Sequence, residues 1–319
     1  MIQLTSSIGE ISKARAGLYD ASDPRASLAS SSPANAAPTA FASAEYGRFY
    51  RDAPAEADEH GRRWYLRGQN FVLNHIEAAQ KGSFERLGQP DEYALILPEE
   101  DMRVEVEAGA EKIVATGGSI VFIPAGDSRV TALREGTIVR LVTALSRDLA
   151  EKCANASSYR EPRPNIPPFR PWPAPTGGPR IRVYPLEVPA TPGRFGTIHR
   201  CSTFMISAIE RYEGPRDPTR LSPHSHDDFE QCSLAVAGSF THHIRWPWTP
   251  NLEQWREDQH EHCLSPSAVV IPPPAIHTSQ AMSPRTNRLI DIFCPPRMDF
   301  SSRPGWVLNA NDYPLPEAG

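Results

Sequence analysis

The sequence predicts an all-β protein built as two tandem barrels. Three observations carry this expectation. The 319-residue chain holds 33 prolines, and proline lacks the N–H that interior helix and sheet positions use. Its apolar residues fall in short Val-, Ile- and Leu-rich runs separated by Gly, Pro and Asp, as strands and turns require. Finally, two segments of one type recur, GGSIVFIPAGDSRV and SPSAVVIPPPAIHTSQ. Each is a β-branched run ending in Ile-Pro and a tight turn, so Ile123-Pro124 matches Ile271-Pro272 and Ser128 or Arg129 falls near His277. An internal repeat accounts for length and composition together.

Residues 1–60 read as a flexible N-terminal segment, because ASLASSSPANAAPTAFASAEYG is rich in Ala, Ser and Pro and has no apolar period. Residues 61–152 form the first strand-rich block, with FVLNHI, EYALILP, MRVEVEAG, SIVFIPAG and GTIVRLVTAL as its strands. MRVEVE alternates with period two, the mark of a half-buried strand. Residues 153–180 are a Pro-rich linker, extended and semi-rigid. The second block spans 181–298, with STFMISAIERY, CSLAVAGSFTHHI, SAVVIPPP and RLIDIFCP as strands, and 299–319 form a surface tail.

Composition narrows the function. Net charge is -5 and the sequence pI is about 6.1. Without a basic excess, neither nucleic acid nor an anionic membrane surface is the expected partner. A small-molecule substrate and a second copy of the chain, in a homodimer, are. The start MIQLTSSIGEISKARAG lacks the basic and apolar regions of a signal peptide, and no apolar run approaches a membrane span. Five cysteines with no C-x-x-C read as reduced thiols of a cytoplasmic protein.

The chemistry concentrates in PHSHDDFEQCSLAVAG. His224 and His226 stand two apart, and on a strand such residues share a face. Two imidazoles on one face can hold one metal ion, and His277, after a strand and a proline turn, can complete the set. This pattern resembles the cupin superfamily, whose first motif runs approximately G-x5-H-x-H-x(3,4)-E-x6-G and whose second runs G-x5-P-x-G-x2-H-x3-N. Here the first reads His224, His226, Glu230-Gln231 and Gly238, and the second reads Ile271-Pro272-Pro273-Pro274 and His277. The resemblance covers both blocks, so it implies two tandem cupin barrels, each a double-stranded β-helix or jelly roll. The leading glycine of the first motif is absent, and Ser265, Ser267 and Ala275 stand near the glycines of the second.

The fourth ligand is open between two neighbours. Glu230 fits the shorter spacing from His226, whereas Gln231 fits the longer one and keeps six residues before Gly238. Gln231 is the preferred reading, and it would leave a divalent ion its full charge, favouring an anionic chelating substrate. The resemblance implies one divalent metal ion, Fe(II) first, with Mn, Ni and Zn as alternatives. It also implies an enzyme: a dioxygenase, or a metal-dependent isomerase or lyase of a hydroxy, keto or sugar acid. A barrel that only binds a small ligand is the non-catalytic alternative. The first block has Asp91, Glu92, Asp127 and Ser128 where ligands would stand, and His75 is its only histidine, so it reads as a barrel without metal. His243 or His242 is the expected general base, with Arg245 meeting a substrate carboxylate and Trp246, Trp248 and Trp255 as an aromatic lid.

Overall fold

A computed structural model describes residues 41–317. The expectation for residues 1–40 lies outside the described residues. In chain order the strands of the first half are β1 (Glu45–Gly47), β2 (Glu56–Asp58), β3 (Gly61–Arg67), β4 (Phe71–Ala78), β5 (Ser83–Gln89), β6 (Tyr93–Leu97), β7 (Arg103–Ala108), β8 (Glu111–Thr116), β9 (Ser119–Ile123), β10 (Gly126–Ala132) and β11 (Gly136–Thr143). A short helix α1 (Arg147–Ala150) leads into the linker. The second half holds β12 (Arg182–Pro185), β13 (Thr197–Arg200), β14 (Met205–Ala208), β15 (Tyr212–Glu213), β16 (Gln231–Ala237), β17 (Ser239–Arg245), β18 (Gln259–Leu264), β19 (Ser267–Ile271), β20 (Ile276–Ala281) and β21 (Thr286–Phe293), followed by α2 (Met298–Ser301).

These strands make two barrels, each a large sheet facing a small one. In the first, β12-β9-β6-β11-β4-β3-β2 faces β5-β10-β7-β8; in the second, β1-β19-β16-β21-β14-β13 faces β18-β17-β20. All the pairings are antiparallel. The run expected as one strand over CSLAVAGSFTHHI is two, β16 and β17, turning at Gly238. That glycine has φ +81°, and a Cβ there would meet Asn287 Oδ1 at 2.4 Å, so only glycine fits the turn.

The barrels exchange strands. β1 pairs with β19 of the second barrel, and β12 pairs with β9 of the first. The boundaries expected at 60 and 181 therefore need correction: residues 45–47 are an edge strand of the second barrel, and residues 182–185 belong to the first. Both strands are short and lack a period of their own, so their partners are set by distant sheet edges. The tail is tied down as well, since the Tyr313 hydroxyl donates to Glu92 Oε1 at 2.7 Å.

Alternation decides what lies where. One face of β4, β6, β9 and β11 puts Phe71, Leu73, Ile96, Phe122 and Leu141 against Ile206, Leu234, Val270 and Ile292 of the second barrel, so the two large sheets pack face to face. Burying each such side chain stabilises by about 1.5–3 kcal/mol, which welds the barrels together. The other face of the first barrel's strands is apolar too, with Val72, Leu95, Val121, Ile138 and Val142 filling its interior. The corresponding face of the second barrel carries Ser207, Gln231, Ser233 and Asp291, all buried. The second barrel's interior is thus the more polar of the two, although the first buries Asn74 and Arg140 among its apolar side chains.

His75 sits in the interface with neither ring nitrogen hydrogen-bonded. Its ring stacks on Phe49 at 4.7 Å and 4°, and burial pulls its pKa down to about 3. A buried polar group without partners costs about 1–3 kcal/mol. His75→Phe should therefore raise the unfolding free energy by about 1–2 kcal/mol in urea titrations; a destabilised variant would contradict this packing.

Candidate metal centre

The loop after Ser222 enters the second barrel and pairs His224 with His277 in an isolated antiparallel bridge. Their backbones exchange two hydrogen bonds, His224 N–H to His277 O at 3.0 Å and the reverse at 2.7 Å. His224 Nδ1 lies 3.0 Å from the Ser222 carbonyl, and His277 Nδ1 lies 2.9 Å from that of Ala275. A carbonyl only accepts, so each Nδ1 carries a proton, which leaves each Nε2 as the nitrogen that can ligate. His226 is buried against Phe229, ring to ring at 4.4 Å. Burial, aided by Arg297, His224 and His277, holds its pKa well below the usual imidazole range. It is neutral at pH 7, the form that ligates. One nitrogen from each of His224, His226 and His277 lies within 4.8 Å of the others.

Gln231 opens β16 and shares this face. Its Oε1 accepts from His226 Nε2–H at 2.9 Å, a proton that a bound ion would displace. Its Nε2 donates to Ser233 Oγ at 3.0 Å and to Asp291 Oδ1 at 3.1 Å. A carboxylate only accepts, so Asp291 fixes the amide with its oxygen toward the histidines. Ser233 Oγ also donates to Asp291 Oδ1, at 2.6 Å. Adjacent cis donors on an ion about 2.1 Å away lie about 3 Å apart, close to the spacing of His226 and Gln231. Three imidazoles, one oriented amide oxygen and a nearby carboxylate fit a divalent ion.

Glu230 points the other way. Its carboxylate accepts from Gln69 N at 2.6 Å, the Tyr159 hydroxyl at 2.9 Å and Arg163 Nη1 at 2.7 Å. Neighbouring strand residues face opposite sides, so Glu230 joins the second barrel to the linker and is corrected out of the ligand set.

A cavity of about 270 Å³ opens beside the histidines, lined by His224, Gln231, His277, Arg216, Asp291 and Ser279, among others. Apolar residues, Phe195, Phe240 and Leu289 among them, cover another part of its wall. Arg216 was not foreseen; its Nη2 donates to Ser222 Oγ at 3.1 Å and to the Arg220 carbonyl at 3.0 Å.

The other expected site residues lie elsewhere. His242 points inward, but it stands behind Ser279, with Nδ1 2.8 Å from that Oγ. Burial drives its pKa down to about 3, so at neutral pH it is uncharged and only a weak base. His243 is on the outer face, its Nδ1 2.8 Å from His260 Nδ1. Arg245 is exposed there too and pairs with Asp258, Nε to Oδ2 at 2.9 Å. His243 and Arg245 line a second depression of about 170 Å³, whose wall also includes His277 and Thr278. Trp246 is no lid: it is 2% exposed, packs with Phe41 and Ile244, and donates to the Ala42 carbonyl. Trp248 and Trp255 stack on each other at 4.4 Å. All five cysteines are buried and none forms a disulfide. Among the described residues no helix is long and apolar enough to cross a membrane.

No protein-family model and no curated protein sequence matches the chain. Solved structures do match its fold. AerE from Microcystis aeruginosa aligns over 76% of this chain and 96% of its own, at TM-score 0.51 and 10% identity. An oxalate decarboxylase from Lactobacillus farciminis, in a formate complex, aligns over 82% and 88%, at TM-score 0.53 and 13% identity. A variant of the Bacillus subtilis oxalate decarboxylase aligns over 78% and 76%, at TM-score 0.50 and 12% identity. The fold is that of a bicupin, two tandem cupin barrels.

Proposed function

From this bicupin fold and its histidine-bearing barrel, we propose that the protein is a mononuclear, divalent-metal-dependent enzyme acting on a small oxygen-rich acid. The observation that carries the reading is the convergence of His224, His226, His277 and the oriented Gln231 oxygen on one cavity. When bound, the ion supplies Lewis acidity to a chelating substrate oxygen. The protein's own groups do the rest. Asp291 and Ser233 hold the Gln231 amide in one orientation. Arg216 lies on the cavity wall, where a guanidinium suits a carboxylate. The apolar wall keeps water from the far end of the substrate.

Imidazole and amide donors suit iron, manganese, nickel and zinc alike; we place Fe(II) first. A dioxygenase and an isomerase or lyase remain the two reaction classes. The neutral Gln231 favours the second, since it leaves the ion more charge with which to polarise a substrate. A solved neighbour is named for its action on oxalate, itself a small acid, which supports the substrate class. The test is turnover of small hydroxy and keto acids by the metal-loaded protein, with and without O2. Turnover that persists without oxygen is the expected result for the lyase or isomerase, and oxygen-dependent turnover for the dioxygenase. Saturable binding with no turnover would overturn the enzyme reading.

A further inference from the structure

The two large sheets can be superposed strand on strand through their ladders. In the second barrel Ser233 pairs with Val269 and Asp291, and Gln231 pairs with Ile271. In the first, Leu95 pairs with Val121 and Arg140, and Tyr93 pairs with Ile123. Tyr93 therefore occupies the ladder position of Gln231, and Arg140 that of Asp291. Where the metal barrel places a carboxylate, its partner places a guanidinium.

Arg140 is 5% exposed and points into the first barrel, between Ile138 and Val142 on the same face. No protein group accepts from its Nε or Nη2. The charged and polar neighbours are already engaged. Arg86 binds Asp148 and Gln89, and Arg63 binds Asp58 and Glu56. Tyr65 donates to Glu56, and the Tyr93 hydroxyl meets Ser128 Oγ at 2.9 Å. Phe84 lies with its ring centre 5.8 Å from the guanidinium carbon. Arginine does not deprotonate in proteins, and a buried charge without a counter-charge is strongly unfavourable. The Nε–Nη2 edge is the planar fork that grips a carboxylate through two parallel hydrogen bonds. Arg245 uses the same Nε–Nη2 edge on Asp258.

We propose that the first barrel is a binding site for a small carboxylate, held on the Nε–Nη2 edge of Arg140. The tandem barrels are then charge-inverted copies, one built for a cation and the other for an anion. This reading does not depend on the metal site.

The test uses the full chain and sodium acetate, against sodium chloride at equal ionic strength. Acetate should raise the thermal midpoint saturably, by about a few degrees. The rise should persist in His277→Ala, which disables the metal centre, and vanish in Arg140→Met. Arg140→Lys, which keeps the charge and loses the fork, should weaken acetate by about tenfold. No rise beyond chloride in the wild type, or a rise that survives in Arg140→Met, overturns the proposal. If Arg140→Met does not fold, titration of 13C-acetate by NMR into Arg140→Lys decides: affinity about tenfold weaker than wild type supports the site, and unchanged affinity or no saturable binding in the wild type refutes it.

Discussion

Glu230→Ala should cost the protein about 3–5 kcal/mol of stability, because it strands a buried partner of an ion pair. The carboxylate is buried, and Arg163 beside it is nearly so, with 11% of its side chain exposed. Burial pushes the Glu230 pKa up while Arg163 opposes that shift. Tyr159 and the Gln69 amide lose an acceptor at the same time. Folded Glu230→Ala, recovered at low temperature, should still take up metal, since the side chain faces away from the histidines. Denaturant unfolding beside metal titration separates the two effects; a stable variant that fails to bind metal would return Glu230 to the ligand set.

His226→Ala should do the reverse. It removes a ligand and leaves Gln231 Oε1 facing a gap, so affinity for a divalent ion should fall at least about 100-fold, a loss larger than second-sphere changes give. Apo stability should drop too, since the ring packs between Phe229 and Phe293. Phenylalanine at 226 keeps that packing and should lose metal with little loss of fold. Unchanged metal affinity in either variant would remove His226 from the centre.

Much of this was legible in the sequence. The two-residue spacing put His224 and His226 on one strand face, whereas they lie on a loop joined to the His277 segment by a single bridge at His224, and it is this loop that brings them beside His277. Choosing between Glu230 and Gln231 needed to know where β16 begins, and the loop before it hides that. Once the strand starts at Gln231, parity puts 231 and 233 inside and 230 outside. For β17 the parity of His243 and Arg245 was right but the face was wrong. Phe240 and Ile244 are the inward apolar pair, which takes His242 and Trp246 inside with them. A readable clue to Asp291 was missed: an acid inside the apolar run RLIDIF signals a polar barrel interior. The exchanged strands β1 and β12 were not readable, since each is short and its partner lies at least sixty residues away.

The central claim is one metal centre, in the second barrel alone. Stripping the purified chain with chelator and titrating a divalent ion, with bound metal counted by elemental analysis, tests it most directly. The wild type should bind about one ion per chain, and His277→Ala should retain none. Two ions per chain, or one ion that His277→Ala still holds, would contradict it.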